Sequence, residues 1–224
     1  MKSYKELLSE SECEHLKSFW LENNKDSYVN FQIEDEIVDR RLLVTEDKYK
    51  KEWDIVTRIC DQVFGNTYHI WSAYQEQSFC HDLHIDDYYE EQSEHKRFTI
   101  VLSLDTIPEF KTIIWKEEFK NNKMLAKRVH LWELQKGIKR TNISNLVDLE
   151  HTVSLTRVDE EDKLGYYTDY FCDYLTLDNI FTYKKGSGVA FAATQVHCTS
   201  NWKKYPQFKN RQLLQIHALA DGIK

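Results

Sequence analysis

His84 and Asp86, inside CHDLHIDDYYE at positions 80–90, open the stretch of this sequence best suited to chemistry. The run continues a strand-like pattern, and in an extended chain residues i and i+2 point to the same face. One imidazole nitrogen and one carboxylate oxygen then converge, which is the beginning of a metal site. Two imidazoles and one carboxylate on one triangular face, with the opposite positions open, is the donor set iron(II) favours. The second imidazole must come from elsewhere in the chain. His197 is the candidate: the turn KKGSG leads into GVAFAAT, and His197 lies just past the end of that strand pattern. Fourteen residues later Arg211 opens the last strand pattern, RQLLQIHAL. A guanidinium there suits a carboxylate-bearing small molecule, because its planar fork meets a carboxylate through two parallel bonds.

Other residues compete for these roles. His81 precedes His84 by three, so on a strand the two face opposite sides. His217 shares a strand face with Arg211, Leu213 and Gln215 but sits inside the strand. Lys203, Lys204 and Lys209 are loop cations near Arg211. Tyr74 and Thr99 offer hydroxyls, although both residue types also serve ordinary strand packing. Asn201 and Trp202 after His197, and Asp87, Tyr88 and Tyr89 after Asp86, read either as substrate-side residues or as exposed turn.

The elements that must hold these residues are legible in outline. Residues 3–22 have helical spacing, with Ser9 or Ser11 as cap and Cys13, Leu16, Phe19 and Trp20 on one face. Residues 46–64 form the clearest helix, with Trp53, Val56, Ile59, Cys60 and Val63 sharing a face and Gly65-Asn66 ending it. From residue 67 the period becomes two. Strand patterns cover 97–105, 112–115, 181–185, 188–194 and 211–219. Helices followed by many strands predict an α+β layout built on a β sandwich or barrel. We read one domain over 1–224: a helical support at 1–66, a β core at 67–116 and 179–220, and a polar, charged insertion or lid at 117–178.

A chain of 224 residues is long enough for one domain with a sizeable core. Its 41% hydrophobic and 30% charged residues, with two prolines and six glycines, exclude a disordered or low-complexity chain. The net charge of −7 argues against a general nucleic-acid binder. No apolar run approaches the length of a membrane span, and the first residues lack a signal-peptide core, so a cytoplasmic protein is expected. Cys13, Cys60, Cys80, Cys172 and Cys198 are scattered and odd in number, which reads as reduced thiols.

The order His84-x-Asp86, a distant His197, then Arg211 resembles the iron(II)/2-oxoglutarate-dependent dioxygenases, with a prolyl-hydroxylase-like pattern. The resemblance covers residues 68–116 and 181–219. Tyr74 lies near the place of a cosubstrate-binding tyrosine in prolyl-hydroxylase-like members, and RFTIVLSLD and KKGSGVAFAATQVHCTSN are similar to that family's strand and Gly-turn segments. The resemblance implies a double-stranded β-helix (jelly-roll) core with packing helices. It implies iron(II) on His84, Asp86 and His197, and 2-oxoglutarate chelating the iron with its far carboxylate on Arg211, helped by Tyr74 and Thr99. It also implies O2 as co-reactant, succinate as coproduct and oxidation of a separate substrate. Members that halogenate replace the carboxylate ligand with a small residue, so Asp86 implies hydroxylation or a related oxidation. Two alternatives stay open at this point. One is a cupin-like metal enzyme, since His197-x-x-x-Asn201 is similar to the end of a cupin motif. The other is a non-catalytic jelly-roll binding module.

Overall fold

The computed structural model describes residues 1–33, 36–78, 86, 95–118, 177–200, 205 and 207–224. Helix α1 (Glu10–Asn23) begins where Ser9 closes a capping box: the Glu12 N–H donates to Ser9 Oγ at 3.2 Å, and the Ser9 N–H donates to Glu12 Oε2 at 2.8 Å. It buries Cys13, Leu16, Phe19 and Trp20. Helix α2 (Lys50–Val63) buries Ile55, Val56, Ile59, Cys60 and Val63. Both buried faces match the spacing. The first helix starts later than expected, because Lys2–Tyr4 form strand β1 and the first capped position is Ser9.

A seven-stranded antiparallel sheet carries the fold. It contains β1, β2 (Tyr28–Ile33), β3 (Glu36–Leu43), β4 (Thr67–Gln77), β5 (Lys96–Ser103), β8 (Gly188–Ala192) and β10 (Arg211–Ala220), in the order β1-β8-β5-β10-β4-β3-β2. A three-stranded antiparallel sheet contains β7 (Leu177–Tyr183), β6 (Ile107–Glu118) and β9 (Gln195–Thr199), in the order β7-β6-β9. The expectation of a helical support at 1–66 is corrected here, because the segment also contains strands. Strands β2 and β3 pair with each other, and β3 extends the large sheet beside β4. Asp39 and Arg41 hide this strand in the sequence. They look like surface charges, yet Asp39 is fully buried and pairs with Arg41 at 3.0 Å.

The large sheet has two different faces. Tyr74, Ile100, Leu102, Leu214 and Ile216 join the buried faces of both helices in one core. On the other face, Val101, Val189, Phe191 and Leu213 pack against Phe110, Ile114, Phe181 and Tyr183 of the small sheet. Between the sheets lies the space that a site can use. The KKGSG turn is tied to the N-terminal segment. Gly186 has φ +78°, and its carbonyl accepts from the Leu7 N–H at 2.7 Å and the Leu8 N–H at 3.0 Å. A Cβ there would lie 2.3 Å from the Leu8 carbonyl oxygen, so only glycine fits.

Cys13, Cys60 and Cys198 are buried free thiols. Among the described residues no helix is long and apolar enough to cross a membrane. The insertion expected at 117–178 lies outside the described residues except at its ends, where 117–118 belong to β6 and 177–178 to β7.

Candidate metal and cosubstrate site

Strand alternation decides which side chains enter the inter-sheet space. On β10 these are Arg211, Leu213, Gln215 and His217, because Leu214 and Ile216 belong to the helix-side core. Register then builds four rungs across the sheet. Arg211 pairs with Gln77, and Gln77 with Asp39. Leu213 pairs with Gln75 and Ser103, and Gln75 with Arg41. Gln215 pairs with Ala73 and Val101, and Ala73 with Leu43. His217 pairs with Trp71 and Thr99.

The His217 rung is the metal end. Asp86 Oδ2 lies 3.5 Å from His197 Nε2, with both side chains nearly buried. The Asp86 N–H donates to the Ala193 carbonyl at 2.8 Å, which fixes the carboxylate beyond the end of β8. His197 lies past the end of β8, as its sequence context suggests, and sits within β9, opposite Ile114 of β6. Its Nδ1 lies 2.9 Å from the Gln195 carbonyl. A carbonyl only accepts, so Nδ1 donates to it and Nε2 is the ring nitrogen that faces Asp86. Thr99 Oγ1 donates to Asp86 Oδ2 at 2.8 Å. That hydroxyl has one proton, so its 3.1 Å contact with His217 Nδ1 is donated by the imidazole. Burial pushes His217 down to about 4, with Asp86 pulling the other way, so this ring is neutral. One carboxylate oxygen and one imidazole nitrogen, each held by a hydrogen-bond partner of its own, fit a metal ion. Among the described residues they form a pair and not a group of three, and His84 and His81 lie outside those residues.

The Arg211 rung is the other end. Arg211 is only 4% exposed. Its Nη1 donates to the Tyr183 hydroxyl at 3.2 Å, its Nη2 donates to Gln77 Oε1, and its Nε has no partner among the described residues. The Tyr183 hydroxyl is also 3.1 Å from Thr112 Oγ1. No carboxylate among the described residues pairs with this guanidinium. An uncompensated buried charge costs several kcal/mol. The arrangement is therefore complementary to an anion that brings the missing negative charge.

Two expectations are corrected by placement. Tyr74 does not enter the inter-sheet space. Its ring stacks on Trp20 at 4.8 Å, and its hydroxyl donates to Gln212 Oε1 at 3.1 Å on the opposite face of the sheet. Thr99 does face the space, but its proton is committed to Asp86, three rungs away from Arg211. Tyr183, Thr112, Gln77 and Gln75 were missed by sequence reasoning. For the two glutamines a signal existed: polar residues recur at alternate positions of a strand whose neighbour presents Arg211 and Gln215.

The architecture matches solved enzymes at low sequence identity. It superimposes on the non-heme alpha ketoglutarate dependent epimerase SnoN from nogalamycin biosynthesis with TM-score 0.57 and 9% identity, over 97% of this chain and 77% of that one. The non-heme alpha ketoglutarate dependent carbocyclase SnoK gives TM-score 0.54 at 12% identity, over 95% of this chain and 76% of that one. EvdO2 from Micromonospora carbonacea var. aurantiaca, complexed with 2-oxoglutarate, gives TM-score 0.54 at 11% identity, over 99% and 87%. No family model matches the sequence, and neither does any curated protein. At this level of identity the chain shares its fold with these solved enzymes.

Proposed function

We propose that the protein is an iron(II)- and 2-oxoglutarate-dependent oxygenase that hydroxylates a separate substrate, on a double-stranded β-helix core. The observation that carries this reading is the buried guanidinium of Arg211, without a carboxylate partner among the described residues, on the same sheet face as Thr99, which bonds to Asp86. A metal pair alone fits many proteins. A metal pair with a built anion site beside it fits an enzyme that uses a carboxylate-bearing cosubstrate, and it weighs against a cupin-like metal enzyme.

In this reading His84, Asp86 and His197 hold the iron. Bound iron supplies O2 activation, coupling decarboxylation of 2-oxoglutarate to succinate with oxidation of the substrate. The protein's own groups do the rest. Thr99 holds Asp86 in one orientation, so the carboxylate does not swing away when the metal leaves. The Gln195 carbonyl accepts from His197 Nδ1, which leaves Nε2 as the nitrogen for the metal. Arg211 and the Tyr183 hydroxyl receive the far carboxylate of 2-oxoglutarate. Phe191, Val101 and Leu213 line the inter-sheet space with apolar surface. Water excluded by that surface cannot screen the charge contacts on either side.

Iron binding tests the assignment. Protein equilibrated with iron(II) without oxygen and then desalted retains one iron per chain, whereas Asp86→Ala and His84→Ala retain none. Undiminished iron in Asp86→Ala would move the metal elsewhere.

A further inference from the structure

The floor of the inter-sheet space between Arg41 and His217 presents two hydrogen-bond donors, on Arg41 and Gln215, that have no acceptor among the described residues. The reason starts at Arg211. A guanidinium can only donate, so Gln77 must turn its carbonyl oxygen toward Arg211 Nη2. Its amide nitrogen is thereby aimed at Gln75, and Gln77 Nε2 donates to Gln75 Oε1 at 3.0 Å. Gln75 must then donate onward, and Gln75 Nε2 donates to Gln215 Oε1. The ladder ends with Gln215 Nε2, which has no acceptor among the described residues, on a half-buried side chain two positions before His217.

Arg41 flanks the same ladder, on the rung of Gln75. Its Nε and Nη2 both reach Asp39 Oδ2, at 3.1 and 3.0 Å. Asn30 Nδ2 donates to the same oxygen at 2.6 Å. Arg41 is thus fixed in place, and Nη1 keeps its hydrogens without an acceptor among the described residues. Asp39 is 0% exposed, so its oxygens are sealed from any ligand. Arg41 keeps 14% of its side-chain exposure. Its charge is felt at His217, so it stands within electrostatic reach of the metal end. Ala73 is the smallest side chain on the floor, on the rung between Leu43 and Gln215. Trp71 and Leu43 add apolar surface beside it.

We propose that this floor binds the primary substrate, and that the substrate is a small molecule carrying a carboxylate, gripped by Arg41 Nη1 and Gln215 Nε2 with an apolar body against Trp71. This deepens the oxygenase reading and rests on it for the identity of the neighbouring metal and cosubstrate. Arg41 Nη1 and Gln215 Nε2 are both donors, which suits an oxyanion and offers an ammonium group no complementary partner at either.

Phenylacetate is the probe, with phenethylamine as its cationic counterpart. Each is titrated by ligand-observed NMR into zinc(II)-loaded protein saturated with 2-oxoglutarate, which blocks Arg211. The proposal expects phenylacetate to bind at least about tenfold more tightly than phenethylamine, a difference of about 1.4 kcal/mol. Arg41→Ala should weaken phenylacetate by a similar factor, with Arg41→Gln intermediate because it keeps a neutral donor. Equal binding of the amine, unchanged affinity in Arg41→Ala, or no phenylacetate binding at all would overturn it. Failure of the oxygenase reading is seen separately, as loss of 2-oxoglutarate saturation in the unsubstituted protein. In that event the Arg41 variants titrated without cosubstrate still test the floor.

Discussion

Replacing Arg211 with methionine should leave the stability of the protein without ligand unchanged or modestly higher and abolish its response to 2-oxoglutarate. Most truncations in a packed interior destabilise, but Arg211 is a different case. Its guanidinium is almost fully buried, keeps an unpartnered Nε, and has no carboxylate beside it among the described residues. Replacing buried charges with apolar side chains of similar size is often neutral or stabilising by about 1–4 kcal/mol. The gain here is offset by the loss of the bonds to Tyr183 and Gln77, so unchanged to modestly higher stability is expected. The ligand response reverses the comparison. Cosubstrate at one hundred times its Kd adds about 2.7 kcal/mol to the folded state. For a chain of 224 residues that raises Tm by roughly 5–10 °C, at about 2–4 °C per kcal/mol. Losing a buried charged partner weakens binding by about 2–4 kcal/mol, enough to erase the shift at the same concentration. Thermal unfolding of both proteins with zinc(II), with and without 2-oxoglutarate, gives all four numbers. A variant that keeps the full shift would clear Arg211 of the anion role. A variant several kcal/mol less stable without ligand would show that its charge is already compensated.

Further outcomes follow from other positions. Tyr74→Phe removes the bond to Gln212 on the helix side, so stability should fall by about 1 kcal/mol with 2-oxoglutarate affinity unchanged; a weakened cosubstrate in isothermal titration would restore Tyr74 to the site. Gly186→Ala drives a Cβ into the Leu8 carbonyl at a positive φ and should lower stability by roughly 1–3 kcal/mol or more, read as the urea midpoint; an unchanged midpoint would contradict the turn geometry. His217 is pushed down to about 4 in the fold, while an unfolded histidine protonates near 6.5. The unfolded chain therefore takes up the proton first. Stability is complete above about pH 6.5 and declines as the pH falls toward 4, and His217→Asn should flatten that part of the profile. A slope that survives in His217→Asn would place the titration elsewhere.

Sequence patterns carried the helices and the face of β10 well, because both rest on simple periods. In α2 Val56, Ile59, Cys60 and Val63 are buried as the spacing names, whereas Trp53 is only partly buried and Glu52 and Ile55 are buried as well. On β10 the apolar set Leu214, Ile216 and Ala218 alternates with Arg211, Gln215 and His217, so the polar set falls on one face. Tyr74 was misread because distance along the chain says nothing about parity. One residue of offset separates Tyr74 on the helix side from Gln75 beside Arg41. β2 and β3 were missed because Asp39 and Arg41 neutralise each other inside the fold, which no local pattern shows. Tyr183 lay in a correctly read strand, but its closeness to Arg211 arises only when the small sheet folds over the large one. The Asp86–His197 approach is likewise tertiary, since 111 residues separate the two in sequence.

The central claim, that one inter-sheet space holds a metal on Asp86 and His197 and a keto acid on Arg211, is met most directly by anaerobic titration of the apo protein. Iron(II) is added first and 2-oxoglutarate second, while the visible charge-transfer band of an iron-chelated keto acid is followed. The account predicts that the band appears, saturates at one equivalent of iron, is absent in Asp86→Ala, and in Arg211→Met needs far more 2-oxoglutarate. Iron that binds with no band, or a band that survives in Asp86→Ala, would contradict it.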